Sequence, residues 1–188
     1  MKSTSQAKQD IWVYNTLGKN KTYIEIGAAL PKIRNNTYNL EVLHGWKGYS
    51  IELDSTVKKF WRTERKNKCY YEDAKTFDHI QALKNNKMSK HVNYVSCDIE
   101  PAENTFIALK NLIDQGITFD LLTFEHDKFR GSDIDYDLLA TEYLKTKGYN
   151  VAVSDVYFKD PSRVFETWYA NQAMQIQPVQ YLYWLQTI

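Results

Sequence analysis

The chain has 188 residues, 43% of them hydrophobic, with 24 Lys and Arg against 23 Asp and Glu and a formal net charge of +1. That length suits one domain, read here as an entry segment or helix over 1–20 and a core over 21–188, and the near-neutral balance supplies no field to draw nucleic acid or an anionic membrane. No apolar run approaches the roughly 20 residues that span a bilayer, residues 1–10 lack the apolar core of a signal peptide, and Cys69 and Cys97 lack metal-ligand spacing. The expectations are a reducing, cytoplasmic setting and no nucleic-acid or membrane partner.

Along the chain, β-branched and aromatic runs alternate with longer amphipathic stretches. Strands are expected at 22–28 (TYIEIGA), 48–53 (GYSIEL), 68–73 (KCYYED), 92–99 (VNYVSCDI) and 119–126 (FDLLTFEH). Between them the pattern predicts helices. The helix at 35–44 gathers Tyr38, Val42 and Leu43 near one face, and that at 54–66 opens on an Asp-Ser cap and gathers Val57, Phe60 and Trp61. The helix at 75–85 aligns Phe77, Ile80 and Leu83. The helix at 101–116 has Pro near its start and Gly at its end, and that at 135–148 also ends in Gly. Three further strands or a hairpin are expected at 149–158, 163–170 and 179–186, where no long helix intervenes. The rhythm implies an α/β fold with a mostly parallel sheet that finishes in antiparallel strands.

In an open α/β sheet, ligands bind beyond the carboxyl ends of the strands. Those ends read Glu25-Ile26-Gly27, Glu52-Leu53-Asp54, Glu72-Asp73-Ala74, Asp98-Ile99-Glu100 and Glu125-His126-Asp127. Solvent contact and helix capping account for any one of these acids. Five at one edge call for something to offset their repulsion, such as ligand hydroxyls, amines or a cationic centre. Glu52 lies where an acid holds ribose hydroxyls, and Gly27 permits close approach of the backbone. Neither G-x-G-x-x-G nor G-x-x-x-x-G-K-[ST] occurs, and Pro31 removes one amide. A pyrophosphate needs several free amides at such a turn. The pattern therefore disfavours NAD, FAD and ATP and favours an adenosyl ligand without phosphates, such as S-adenosylmethionine.

These residues resemble FkbM-type S-adenosylmethionine-dependent methyltransferases. The resemblance runs through Ser5-Gln6, Gln9-Asp10, Glu25-Ile26-Gly27-Ala28, Asn36-Thr37-Tyr38-Asn39-Leu40-Glu41 and Gly45-Trp46-Lys47-Gly48 leading to Glu52. It continues through VNYVSCDIEP, DLLTFEHD and VFETWYAN, so it covers nearly the whole chain in order. It implies a Rossmann-like class I methyltransferase sheet. It also implies that Glu25 and Gly27 shape the methionine pocket, that Glu52 holds the ribose, that Asp73 and Ala74 border the adenine, that Asp98 and Glu100 face the methyl group and acceptor, and that Ala28, Leu53 and Asp98 are among the cofactor contacts. Two departures stand out. Ala29-Leu30-Pro31 replaces polar and flexible residues, and Asp98-Ile99-Glu100-Pro101 replaces Asp-x-Glu-Gly. They open a second reading, a binding or scaffold protein on the same fold with impaired cofactor binding.

The expected reaction is O-methylation of a hydroxyl on a small molecule or glycan. Asp98 and Glu100, two apart, would share one side of an extended strand and act as a paired general base, and His126 is the other candidate base. Asp98, Glu100, Glu125 and Asp127 also offer the oxygen ligands Mg²⁺ prefers, although a metal-free site is the first expectation. Tyr157, Phe158, Trp168, Tyr169, Tyr181, Tyr183 and Trp184 serve the core, an acceptor site or a homodimer contact. A nucleic-acid methyltransferase is the least favoured reading, because no Asp/Asn-Pro-Pro-Tyr/Phe run follows the fourth strand.

Overall fold

A computed structural model of the protein describes residues 2–188. Its strands are β1 (Thr22–Ile26), β2 (Lys47–Ile51), β3 (Lys68–Tyr70), β4 (His91–Cys97), β5 (Thr118–Glu125), β6 (Tyr149–Tyr157), β7 (Val164–Asn171) and β8 (Val179–Gln180). They form one sheet in the order β3-β2-β1-β4-β5-β7-β6-β8. β1 to β5 run parallel, and β7 is antiparallel to both β5 and β6. The helices are α1 (Gln9–Leu17), α2 (Tyr38–His44), α3 (Lys58–Glu64), α4 (His79–Asn85), α5 (Ala102–Asp114), α6 (Tyr136–Thr146) and α7 (Tyr181–Leu185). No described helix is long and apolar enough to cross a membrane.

Alternation along the strands divides the core between two faces. Ile24, Ile26, Val95 and Leu122 pack with Leu83 of α4, Leu109 and Leu112 of α5 and Leu144 of α6. Tyr23, Tyr94, Leu121 and Trp168 pack on the other face with Trp12 of α1, Leu40 of α2 and Tyr181 and Trp184 of α7. Aspartates fix two helix starts: Asp78 accepts from the Gln81 N–H and Asp135 from the Leu138 N–H.

Three expectations need correction. The strand expected at 179–186 is two residues of β8 followed by α7, because Tyr181 and Trp184, three apart, both turn into the Trp12–Trp168 cluster. The inward face of α2 is Asn39, Leu40 and Glu41, while Val42 and Leu43 are exposed. A buried guanidinium opposite Glu41 reverses the apolar rule there. In α3 only Trp61 is buried, and Phe60 is exposed, because one turn faces inward. Of the late aromatics, Trp168, Tyr169, Tyr181 and Trp184 are core residues, and Phe158 and Tyr183 are exposed.

The sheet order reverses direction between β1 and β4. Open α/β sheets hold ligands outside the strand ends at such a switch point, and Gly27 and Asp98 follow those two strands.

Candidate functional site

Gly27 has φ 79°, and a Cβ there would lie 1.6 Å from the Asp98 carbonyl oxygen. Its glycine is therefore set first by contact between the two strand ends, not by a ligand. The N–H groups of Gly27 and Ala28 both reach the Ile51 carbonyl, at 3.0 and 3.1 Å. Ala29 follows at φ 44°. Its N–H donates to Glu52 Oε2 at 2.7 Å, and its carbonyl accepts from Trp61 Nε1 at 2.9 Å. The Ala29-Leu30-Pro31 turn is thus held from both sides.

Beneath the turn lies Arg65, whose side chain is fully buried. It donates to Glu41 Oε2 at 2.6 Å, to the Pro31 carbonyl and Asn35 Oδ1 at 3.0 Å, and to Thr37 Oγ1 and the Tyr23 hydroxyl at 2.8 Å. Asn35 Nδ2 donates in turn to the Ala28 carbonyl at 3.1 Å. Glu25 belongs to this buried layer. It accepts from Thr37 Oγ1 at 2.9 Å and Ser50 Oγ at 2.8 Å, and burial pushes its carboxyl above the usual range. Glu25 and Ala28 support the turn from below and line neither of the cavities that flank it.

Those two cavities share Gly27, Ala29, Asp98 and Glu100. The smaller, about 330 Å³, is closed by Glu52, Leu53, Asp73, Ala74, Ile99 and Asn104. All of the residues assigned to ribose and adenine therefore meet in one place. Besides Ala29, Glu52 accepts from the Asp54 N–H at 2.8 Å, so each carboxylate oxygen keeps a lone pair for a further donor. The larger cavity, about 700 Å³, holds Gln6, Leu30, Glu125 and Asp127 with arginines and phenylalanines. Both spaces are open, and Leu30 borders the larger one without filling the smaller.

The carboxylate pair differs from the expected one. β4 ends at Cys97, so Asp98 and Glu100 do not continue a strand, and Glu100 turns to Arg130 at 2.5 Å. Asp98 pairs instead with Glu125 from the neighbouring strand β5, and Glu125 also reaches Asp127. Burial and then the adjoining Asp98 push Glu125 far above the carboxylate range, so the Asp98–Glu125 pair retains a proton at neutral pH. Burial raises Asp98 too, while the hydrogen bond from Glu125 opposes that rise. Asp127 Oδ2 meets Arg130 Nε at 3.0 Å, and its buried Oδ1 receives no hydrogen bond from a permanent donor. Among the described residues no three His, Cys, Asp or Glu side chains form a metal-ligand set. The four acids considered for Mg²⁺ are instead linked in a chain that Arg130 closes.

His126 lies apart from the cleft. It is buried, its Nδ1 accepts from the Lys128 N–H at 3.2 Å, and its Nε2 faces Thr167 Oγ1 at 3.3 Å with Asp137 at 3.6 Å. It lines neither of the two cavities but borders an adjoining one beside Tyr136, which shares Glu100, Asp127 and Arg130 with the larger, and burial lowers its pKa. Its ring ties β5 to α6.

Sequence reasoning missed Arg65, Arg130 and the work of the N-terminal segment. Asp10 gathers that segment, accepting from Ser3 Oγ at 2.6 Å, Ser5 Oγ at 2.8 Å and Asn39 Nδ2 at 2.7 Å. This brings Gln6 to the larger cavity. Gln9 Nε2 donates to Glu166 Oε2 at 2.8 Å, as does Trp168 Nε1 at 2.6 Å. The Ser-Gln…Gln-Asp pattern was the available signal.

Burial pushes the Glu166 carboxyl up to about 8. An acid raised on folding binds its proton more tightly when native, so stability falls as pH rises from its ordinary value of 4.5 towards 8. Glu166→Gln keeps the acceptor oxygen and removes the titration. The expected result is a gain on the order of 4 kcal/mol at pH 8 and little at pH 4.5, read from denaturant melts at both pH values. An equal effect at both would assign the change to packing.

No protein-family model matches the chain, and no curated protein sequence matches it. Solved structures do match. A TehB-like SAM-dependent methyltransferase from Corynebacterium glutamicum aligns with TM-score 0.60 and 11% identity, over 87% of this chain and 86% of that one. M. capricolum TrmK, solved with the cofactor product S-adenosyl-homocysteine, aligns with TM-score 0.56 and 11% identity, over 87% and 68%. The N-methyltransferase NodS from Bradyrhizobium japonicum aligns with TM-score 0.55 and 12% identity, over 88% and 93%. The eight-stranded sheet, parallel except for its C-terminal strands, and the switch point beside Gly27 thus belong to the Rossmann-like fold shared by these S-adenosylmethionine-dependent methyltransferases.

Proposed function

We propose that the protein is an S-adenosylmethionine-dependent methyltransferase acting on a hydroxyl of a small molecule or glycan. The observation that carries this reading is the pair of cavities meeting at Gly27 and Asp98, one closed by Glu52 and Asp73, the other floored by Asp98 and Glu125. The donor set fits an adenosyl group: Glu52 has lone pairs free for ribose hydroxyls, Ile99 and Ala74 offer apolar contact for a base, and no phosphate cradle is present. The FkbM resemblance of the same residues supports the assignment.

Bound S-adenosylmethionine supplies an activated methyl group. The chain's own part is positioning and proton transfer. The larger cavity places the acceptor beside Asp98. Asp98 takes the hydroxyl proton, and Glu125, protonated beside it, steadies the carboxylate by a hydrogen bond. Arg130 holds Glu100 and Asp127 at the rim and limits the repulsion among the acids.

A cofactor-impaired scaffold is the competing reading, favoured by the engagement of Glu52 with the Ala29 N–H. The two diverge at Glu52→Ala. On the enzyme reading this change weakens S-adenosylmethionine binding at least tenfold, measured by equilibrium dialysis, because two ribose hydroxyls lose a charged acceptor. Unchanged binding would remove Glu52 from the cofactor site.

A further inference from the structure

The larger cavity is acidic at its floor and basic at its mouth. Arg34 and Arg163 line it, and neither makes an ion pair among the described residues, unlike Arg65 and Arg130. The Arg163 guanidinium lies 4.4 Å from the centroid of the Phe129 ring. A guanidinium over a ring face keeps its N–H donors available, and no side-chain hydrogen bond or ion pair of Arg163 occupies them among the described residues. Arg34 sits at φ 54°, a backbone conformation where Gly or Asn costs less. Phe129, Phe158 and Phe165 line the same cavity.

Resting on the methyltransferase reading, we propose that the acceptor is a small anion: a carboxylate or phosphate held by Arg34 and Arg163, a flat or apolar body against the phenylalanines, and the hydroxyl at Asp98. A planar fork suits either oxyanion and binds it bidentately. The chain's net charge of +1 favours one anionic group on a small molecule over a nucleic-acid backbone, which would need a basic tract.

The test is a calorimetric titration of the full chain, with and without S-adenosylhomocysteine, using 4-hydroxybenzoate, its methyl ester, 4-hydroxyphenyl phosphate and a short single-stranded RNA. The anions are expected to bind at least tenfold more tightly than the ester, and their order separates a carboxylate subsite from a phosphate one. Arg34→Gln and Arg163→Gln, both exposed positions, should each weaken the anion by about tenfold and leave S-adenosylhomocysteine binding unchanged. Ester binding equal to that of the acids, wild-type anion affinity in both variants, RNA binding above the small anions, or no binding across the panel would each overturn the proposal. Failure of S-adenosylhomocysteine alone to bind would overturn the methyltransferase reading instead, and the arm without it reads the anion subsite independently.

Discussion

Arg65→Met lowers the free energy of unfolding by about 3–5 kcal/mol, the cost of leaving a buried carboxylate without its partner. Glu41 would lose the guanidinium 2.6 Å away, and Pro31, Asn35 and Thr37 would lose donors at the same time. The pair also carries a pH dependence. Burial pushes Glu41 up, but Arg65 and the N–H groups of Asn67 and Lys66 outweigh it, so its folded pKa lies below the ordinary 4.5. A depressed acid stabilises fully above its unfolded value and loses that contribution as pH falls through its folded one. Wild type should therefore lose stability below pH 4.5 more steeply than Arg65→Met. Urea melts across pH 3–7 give both quantities. A loss under 1 kcal/mol with parallel pH curves would show that the network contributes little. Because the same guanidinium holds the Ala29-Leu30-Pro31 turn, the variant should also bind cofactor more weakly.

On the methyltransferase reading proposed above, Asp98→Asn lowers kcat for methyl transfer by about 10²–10⁴, the usual contribution of a positioned general base. The amide retains a hydrogen bond to Glu125 and much of the shape of the side chain, but cannot take a proton. Asp98 is raised above the ordinary aspartate value of 3.8, chiefly by burial, so the rising limb of the wild-type pH–rate profile should lie above that value and vanish in the variant. Labelled methyl transfer with the acceptor saturating separates this from a binding defect. A rate within fivefold of wild type with the limb intact would pass the role of base to another group.

The sheet was legible because its signals are local. β1 to β5 are short apolar runs followed by polar turns, and their ends gave Gly27, Glu52, Asp73 and Asp98, which the fold brings to one edge. The pairing of Asp98 was not legible. Residue spacing placed it with Glu100, whereas lateral neighbours across a sheet are set by strand order, and β5 supplies Glu125. Arg65 escaped for a related reason. In sequence it is one cation in a run of charges at the end of α3, and only the packing of α2 and the turn encloses it. The altered Ala29-Leu30-Pro31 turn read as loss of polar groups. The turn instead offers its polarity through backbone atoms, with the Ala29 N–H to Glu52 and the Ala29 carbonyl to Trp61.

The claim that this cleft holds an adenosyl cofactor meets its most direct test in calorimetric titration of the wild-type chain with S-adenosylhomocysteine. The account predicts saturable binding of one ligand per chain at micromolar to submillimolar concentration, on the order of −5 to −8 kcal/mol, with Glu52 and Asp73 among the amide signals that shift. No heat and no shift at millimolar ligand would contradict it.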